Sequence, residues 1–479
     1  MNGWQKHLVL RRRTPLAATA ASPDSVRFTL PRSTVTMRYL DRGVHAALLA
    51  VDAGSVPVAD LVDTARAALP EADLARLVVE LGRLYARGAI TLAVEDGDDT
   101  VCELSAANVL ASLALDLDGP DRRCRLSRFA LLRRAGRDVL VESLAAGGRL
   151  SLHRPDLAAL LATLVEPADE AEVVCRVPTS PPPVLRAVLR VMRAGGLIDR
   201  VDRDGLLPED HERELVMREP HDLFLHNRSR SGLTPESCGG TFRFAGVLPS
   251  LPAIRPAWPG PRIPLPRPDL ARLVRTDLPL AAAMERRRSR RAFAQRPLTV
   301  EELGEFLFRV FRVTAVSRRD PTDPQSYEST LRPVPSAGAA QDLEVYVAAG
   351  RVDGVHRGLF HYEPARHALT EVAADNYAVA AILQSARRSS MAPVEPPAVV
   401  VLASRFGRLA WKYEGIAYAA TLKNAGVAYQ AMYLAATAMG LAGCGLGDGD
   451  AAAFGLATGA APHVESPVGE FMIGPAEET

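Results

Sequence analysis

The spacing of apolar residues changes period several times along this chain, and each change predicts an element. Residues 26–30 and 34–39 alternate apolar and polar side chains, which predicts two strands. Residues 42–50, 58–68 and 71–87 carry apolar positions three and four apart, which predicts three helices. Gly88 is placed to cap the third helix. Residues 89–94, followed by Glu95, Asp96, Gly97 and Asp98, predict a strand and a tight turn. The order then returns. Residues 129–132, 139–142 and 150–152 are strand-like, while 156–164 and 182–194 have helical periodicity. The segment Leu84-Tyr85-Ala86-Arg87-Gly88-Ala89-Ile90 has a counterpart in Met192-Arg193-Ala194-Gly195-Gly196-Leu197-Ile198. A degenerate tandem repeat accounts for both.

Strand pair, helices and hairpin make the order of a winged helix, so two winged-helix-like units are expected at 1–100 and 101–205. A connector is expected at 206–270. Within it, residues 248–268 contain eight prolines, which excludes a helix or a central strand. The stretch is apolar enough to lie extended along a surface. A last domain is expected at 271–479. Residues 278–288 and 299–309 are helical there, the second with Thr299 and Glu302 in a capping box. Strands are expected at 343–348, 358–362 and 397–403. The longest apolar run, 425–439, leads into a glycine-rich turn at 440–447.

Composition narrows the function classes. A chain of 479 residues is too long for one ordinary core, and 48% apolar with 24% charged residues is ordinary globular composition. A net charge of +1 gives no bulk attraction to nucleic acid or acidic membranes. The helix expected at 71–87 sets Glu71, Asp73 and Glu80 against Arg76, Arg83 and Arg87, a balanced face that does not seek phosphates. Docking of a peptide or protein, by strand addition to a sheet edge, suits the N-terminal half better, as does scaffolding. The run at 425–447 has the length of a membrane span. Gln430, Thr437 and the adjoining Asp448 and Asp450 favour a core helix, and no membrane association is expected. Lys6 and Arg11–Arg13 are not followed by a long apolar stretch, so no signal peptide is expected. Cys102, Cys124, Cys175, Cys238 and Cys444 are dispersed and form no C-x-x-C pair, which suits a reducing cytoplasm without disulfides or a zinc site.

Three stretches can carry chemistry. In Arg286-Arg287-Arg288-Ser289-Arg290-Arg291, alternation would turn Arg287, Ser289 and Arg291 inward together, a donor set suited to a phosphate; a solvated arginine face is the other reading. The turn Pro335-Ser336-Ala337-Gly338 is small enough for a flat ligand to approach the backbone. Trp411-Lys412-Tyr413-Glu414-Gly415 puts an amine beside a phenol just before the apolar run.

Taken in order, these stretches and the run into Gly440-Leu441-Ala442-Gly443-Cys444-Gly445 resemble the flavin-dependent nitroreductase superfamily. Within it the chain resembles the SagB-type peptide dehydrogenases, the azoline oxidases of thiazole/oxazole-modified peptide biosynthesis. Phe224-Leu225-His226-Asn227-Arg228-Ser229-Arg230 and Gly239-Gly240-Thr241 are similar to the segment before the catalytic domain of that subfamily. The resemblance implies an α+β fold, with a nitroreductase-like domain of a central mixed or antiparallel sheet flanked by helices. It implies FMN at a homodimer interface. Arg287, Arg288, Ser289 and Arg291 would hold the phosphate and ribityl chain. Pro335, Ser336, Ala337 and Gly338 would pass along the isoalloxazine, and Gly445, Leu446 and Gly447 would lie in a loop on its other side. Lys412 and Tyr413 match the pair held to act as base. Ala339, Gln341 and Asp342 stand where general nitroreductases carry an asparagine and a Gln-Pro pair.

The implied reaction is oxidation of a peptide thiazoline or oxazoline to a thiazole or oxazole. The ring loses a proton to Lys412 or Tyr413 and a hydride to the flavin, and dioxygen is the expected final acceptor. Free lysine and tyrosine titrate near 10, so a downward shift of either is expected. Adjacent residues of a regular strand face opposite ways, so both reach one substrate only on irregular backbone, which Gly415 would permit. The expected partners are an azoline-containing precursor peptide and a cyclodehydratase complex. Two other functions fit parts of the pattern. One is an NAD(P)H-dependent reductase of nitro compounds, quinones or dehydroamino acids. The other is a winged-helix DNA regulator with a flavin-sensing domain.

Overall fold

The computed structural model describes residues 3–31, 33–116, 122–178 and 180–477. The chain divides into two compact units, Met1–Glu236 and Ser237–Thr479.

The first unit has a single core, which runs from Trp4 to Ile198. Its main sheet has seven antiparallel strands, in the order Ser55–Pro57, Leu8–Arg12, Ile90–Asp96, Asp99–Ala106, Gly148–Leu152, Asp138–Ser143 and Ala130–Ala135. The boundary expected at residue 100 therefore falls inside a hairpin. The two repeat-like halves are fused, because the strands on either side of the boundary pair across it: Leu92 lies opposite Leu104, and the sheet continues to Leu150. The halves still mirror each other. The helices Leu74–Ala86 and Pro182–Ala194 are both 13 residues long. Each ends in a left-handed glycine, Gly88 or Gly196, and the next amide reaches five residues back, Ala89 to Leu84 and Leu197 to Met192. Those bonds satisfy carbonyls that the helix end leaves open.

The second unit is built on another seven-stranded antiparallel sheet. Its order is Arg262–Pro264, Ala368–Ala374, Gly358–Glu363, Leu343–Ala349, Ala398–Arg405, Glu465–Pro475 and Leu441–Gly445. Helices cover both faces. Val345, Val347, Val400 and Leu402 pack with the helices Val300–Phe311 and Ala417–Ala438, while Tyr346, Ala348, Val399 and Val401 pack with Tyr377–Ser390 and Ala451–Thr458. Burial on both faces is why these strands read as unbroken apolar runs rather than alternating ones.

Two expectations change here. The proposed connector has no independent existence: 206–236 belongs to the first unit and 237–270 to the second. Within its proline-rich part, Arg262–Pro264 is a strand that closes one sheet edge, the place where a strand tolerates proline. The glycine-rich stretch after the apolar run is not all turn either. Leu441–Gly445 is the opposite edge strand, paired with Gly474 and Phe471 among others. Gly443 is required there, since a Cβ would lie 2.7 Å from the Phe471 ring. No helix among the described residues is long and apolar enough to cross a membrane.

Candidate active site

The 22-residue helix Ala417–Ala438 organises the second unit. Ala425, Ala428, Met432 and Ala436 press it onto the sheet, but Tyr418, Leu422 and Val427 on other sides are exposed. A helix apolar all round is ordinarily buried all round. This one is covered on one side only.

At its N-terminal end lies the Lys412 cluster. The short helix Gly407–Ala410 stops just before it, and Gly415 at φ +71° turns the chain into the long helix. Glu414 exchanges two backbone hydrogen bonds with Gly239, the Lys412 carbonyl accepts from Phe242, and Trp411 Nε1 donates to the Leu248 carbonyl. The Gly239-Gly240-Thr241 segment is thus folded against Lys412-Tyr413. With the backbone irregular, the two side chains converge. A Cβ on Gly338 would lie 2.5 Å from Lys412 Nζ, 2.6 Å from the Tyr413 hydroxyl and 3.1 Å from the Tyr327 hydroxyl. Gly338 has φ +59°, so glycine is needed there for both conformation and space.

Lys412 Nζ donates to the Tyr327 hydroxyl at 2.7 Å, and that hydroxyl donates to the Gly338 carbonyl at 2.5 Å. The ammonium sits 4.9 Å from the Tyr327 ring centre, 5.2 Å from that of Tyr413 and 5.3 Å from that of Phe242. Such a cage favours the cation. Burial pulls the Lys412 pKa down, but hydrogen bonding to Tyr327 and the two neighbouring phenols outweigh it, and the net shift is upward. Of the two groups expected to carry a downward shift, the lysine is therefore not the one. Lys412 is held as an ammonium.

The turn Pro335–Gly338 is anchored from the core. Asp342 is fully buried and accepts from Ser404, Thr421 and Asn424. Asn424 in turn accepts from the Ala337 amide at 3.0 Å, and Ser336 Oγ accepts from the Gln341 amide. Asp342 fixes which way the Asn424 amide points, and so what it offers the turn.

A second cluster lies toward the helix C-terminus. Ser289 Oγ is 2.9 Å from the Tyr433 hydroxyl, which accepts from the Gly445 amide at 2.8 Å. The Arg287 guanidinium lies 5.2 Å over the Tyr433 ring. One turn away, Tyr429 donates to the Leu446 carbonyl and accepts from the Glu470 amide. Arg287, Ser289, Gly445 and Leu446 are therefore brought together. Arg288 is not: it bonds the Glu285 and Arg287 carbonyls and, with Arg286 and Arg290, lines a separate cleft of about 530 Å³. Alternation along the extended run divides the arginines between two sides. Arg291 is exposed, and Gly447 follows Leu446 beyond the strand.

The chemistry of these residues fits FMN. Arg287 and Arg291 have no carboxylate partner among the described residues, so their donors are open to a phosphate. Gly338 leaves backbone bare where a flat ring would pass. Asn424, which holds the turn, and Tyr433, which holds Gly445, sit nine residues apart on the long helix, about 14 Å along its axis.

The sequence profile of the nitroreductase family matches residues 284–474, a span that holds both clusters. The second unit carries a nitroreductase family domain. A profile named for the cyanobactin oxidase ThcOx matches residues 124–234, inside the first unit. The two matches support an oxidoreductase of the nitroreductase superfamily. A nitroreductase-type protein of Methanocaldococcus jannaschii is 29% identical over 165 residues, 34% of this chain and 76% of that protein. Among solved structures, a nitroreductase-type protein of Ralstonia eutropha is 23% identical, with a TM-score of 0.35 over 48% of this chain and 100% of that one. One from Anabaena variabilis is 14% identical, with a TM-score of 0.37 over 83% and 88%. The E. coli microcin synthetase complex with a truncated pro-peptide bound is 20% identical, with a TM-score of 0.33 over 50% and 91%.

Sequence reasoning missed Tyr327, Phe242, Asn424, Tyr429 and Tyr433. Tyr429 and Tyr433 had a usable signal, two tyrosines four apart on one helix face. Lys412 had a stronger one than its motif: the chain has only three lysines, Lys6, Lys412 and Lys423, among 57 basic residues. In a chain that otherwise uses arginine, an amine in a cage of rings stands out.

Proposed function

We propose that this protein is an FMN-dependent dehydrogenase that oxidises thiazolines or oxazolines in a peptide to thiazoles or oxazoles. The observation that carries the reading is the convergence of Lys412 Nζ and the Tyr413 hydroxyl on Gly338, in the turn expected to face the flavin. Bound FMN supplies the hydride acceptor. Arg287 and Ser289 would hold its phosphate, and the Pro335–Gly338 turn and Gly445–Leu446 its ring. The protein must take one proton from the azoline carbon. Lys412 already carries its proton, so the acceptor would be Tyr413 as its phenolate, its own proton having passed to solvent beforehand, with the ammonium beside it offsetting the charge. Phe242, Trp411 and Tyr327 enclose the pair and limit water around it.

The half-covered long helix supports a homodimer, with the flavin site completed by a second copy. The ThcOx-type match supports a peptide substrate, and with it a cyclodehydratase partner. The test is direct. Purified protein should carry flavin absorbance, release FMN and convert a synthetic thiazoline-containing peptide to the thiazole with consumption of dioxygen. Rapid bleaching of the flavin by NADPH, without azoline turnover, would replace this reading with a small-molecule reductase, which the nitroreductase profile match also accommodates.

A further inference from the structure

Tyr327 belongs to none of the motifs read from the sequence. It lies between the short strands Ala315–Ser317 and Ser329–Leu331, two residues before the second. Its place is nevertheless secured. Arg408, buried on the short helix before Lys412, donates to the Glu328, Ala340 and Leu251 carbonyls and so ties three loops together next to the Tyr327 ring. Phe242 and Trp411 pack against the same ring, with centroids 6.5 and 6.0 Å away.

A phenol has one proton to donate and lone pairs to accept with. The Tyr327 proton is committed to the Gly338 carbonyl, and a lone pair is committed to the Lys412 ammonium. Neither is available to a substrate. Tyr413 differs: its hydroxyl reaches the same point beside Gly338 and also bonds the Lys412 ammonium, but among the described residues no carbonyl accepts its proton. Two phenols flank one ammonium, and only one of them is free to exchange a proton.

We propose that Tyr327 is a positioning residue that anchors the Lys412 ammonium between the flavin-facing turn and Tyr413, leaving Tyr413 as the only group of the three that exchanges a proton with substrate. The assignment rests on the proposed azoline oxidation for its catalytic consequence, but the anchoring itself can be tested without substrate.

With three lysines in the chain, amine reactivity is easily mapped by site. Full-length FMN-loaded protein is reductively methylated with formaldehyde and a borane reductant across a pH series, and Lys6, Lys412 and Lys423 are followed by peptide mass. Only the neutral amine reacts. Tyr327→Phe keeps the ring and removes the hydroxyl, so Lys412 should methylate roughly 10-fold faster at pH 8, the equivalent of one charge-assisted hydrogen bond, with Lys6 and Lys423 unchanged. Tyr327→Leu should match Tyr327→Phe. An unchanged Lys412 rate in Tyr327→Phe overturns the proposal. So does a rise in Tyr327→Leu alone, which would make the ring's packing the cause. On a thiazoline peptide, Tyr327→Phe should lower kcat roughly 10-fold at constant KM and move the alkaline limb of the pH profile to lower pH. Unchanged turnover and pH profile would also overturn it. If the unmodified enzyme fails to oxidise the peptide, the azoline reading falls, and the methylation result still decides whether Tyr327 holds Lys412.

Discussion

The two ends of the helix Ala417–Ala438 solve different problems. At the N-terminal end the polar atoms are already in place: Lys412 is caged by three rings and hydrogen-bonded to Tyr327, and the turn beside it is tied to buried Asp342 through Asn424. At the C-terminal end two tyrosines clasp the Gly445–Leu446 backbone, but Arg287 over Tyr433 reaches no carboxylate among the described residues. On the proposed reading, one end is set for proton transfer before anything binds. The other is set to receive an anion. Preorganisation of the first kind lowers the reorganisation cost of reaction, whereas open guanidinium groups gain their energy only when a ligand arrives.

The sharpest test of that contrast is to damage each end and ask what is lost. Tyr413→Phe should bind FMN normally yet lower azoline turnover by about 10²–10⁴-fold, the usual worth of a general base. Simultaneous loss of FMN would show that the N-terminal end also serves binding. Gly338→Ala places a methyl group among three polar atoms and should cost turnover about 10²-fold through misplacement, visible as a drop in kcat with FMN still bound. At the other end, Arg287→Ala should raise the FMN dissociation constant about 10–100-fold in fluorescence titration, with kcat at saturating FMN nearly unchanged.

The smallest expected effect concerns Glu470, whose backbone is hydrogen-bonded to Tyr429 and Leu446. Burial, with a contribution from Asp448, raises its carboxyl from 4.5 to about 7. The folded state then binds more protons than the unfolded state between those values. Stability should therefore fall as pH rises from about 4.5 to 7, by at most about 3 kcal/mol. Glu470→Gln should flatten that slope and melt higher than the parent at pH 8, with the two converging near pH 5. Equal slopes in differential scanning calorimetry would show that the carboxyl is not strained by burial.

Much of this architecture was legible in the chain. The helix bounds Arg42–Ala50, Val58–Ala68 and Pro182–Ala194 follow from periodicity, and the Thr299–Glu302 capping box forms as its residue types predict. Short-range rules decide these features, since the interacting groups lie within a turn of one another. The strand Leu441–Gly445 was hidden because glycine and alanine carry little strand preference. Edge pairing with Glu465–Pro475 creates it. The boundary at residue 100 failed for a related reason: local pattern shows where a hairpin is, not which distant strand extends it into a larger sheet.

The site divides in the same way. Sequence alone marked Lys412-Tyr413, the Pro335–Gly338 turn and the arginine run, because residue type limits what each can do. It could not place Tyr327 85 residues upstream against Lys412 or connect Asp342 to Ala337 through Asn424. It also left open which of Lys412 and Tyr413 is shifted downward, and the lysine is shifted up. A pKa is set by everything within a few ångströms, and those neighbours come from distant parts of the chain. The identity of the reactive groups was thus local information. Their partners, the direction of the lysine's shift and the proposed division of labour between two phenols were decided only when folding brought Tyr327, Gly338 and Lys412 to one point.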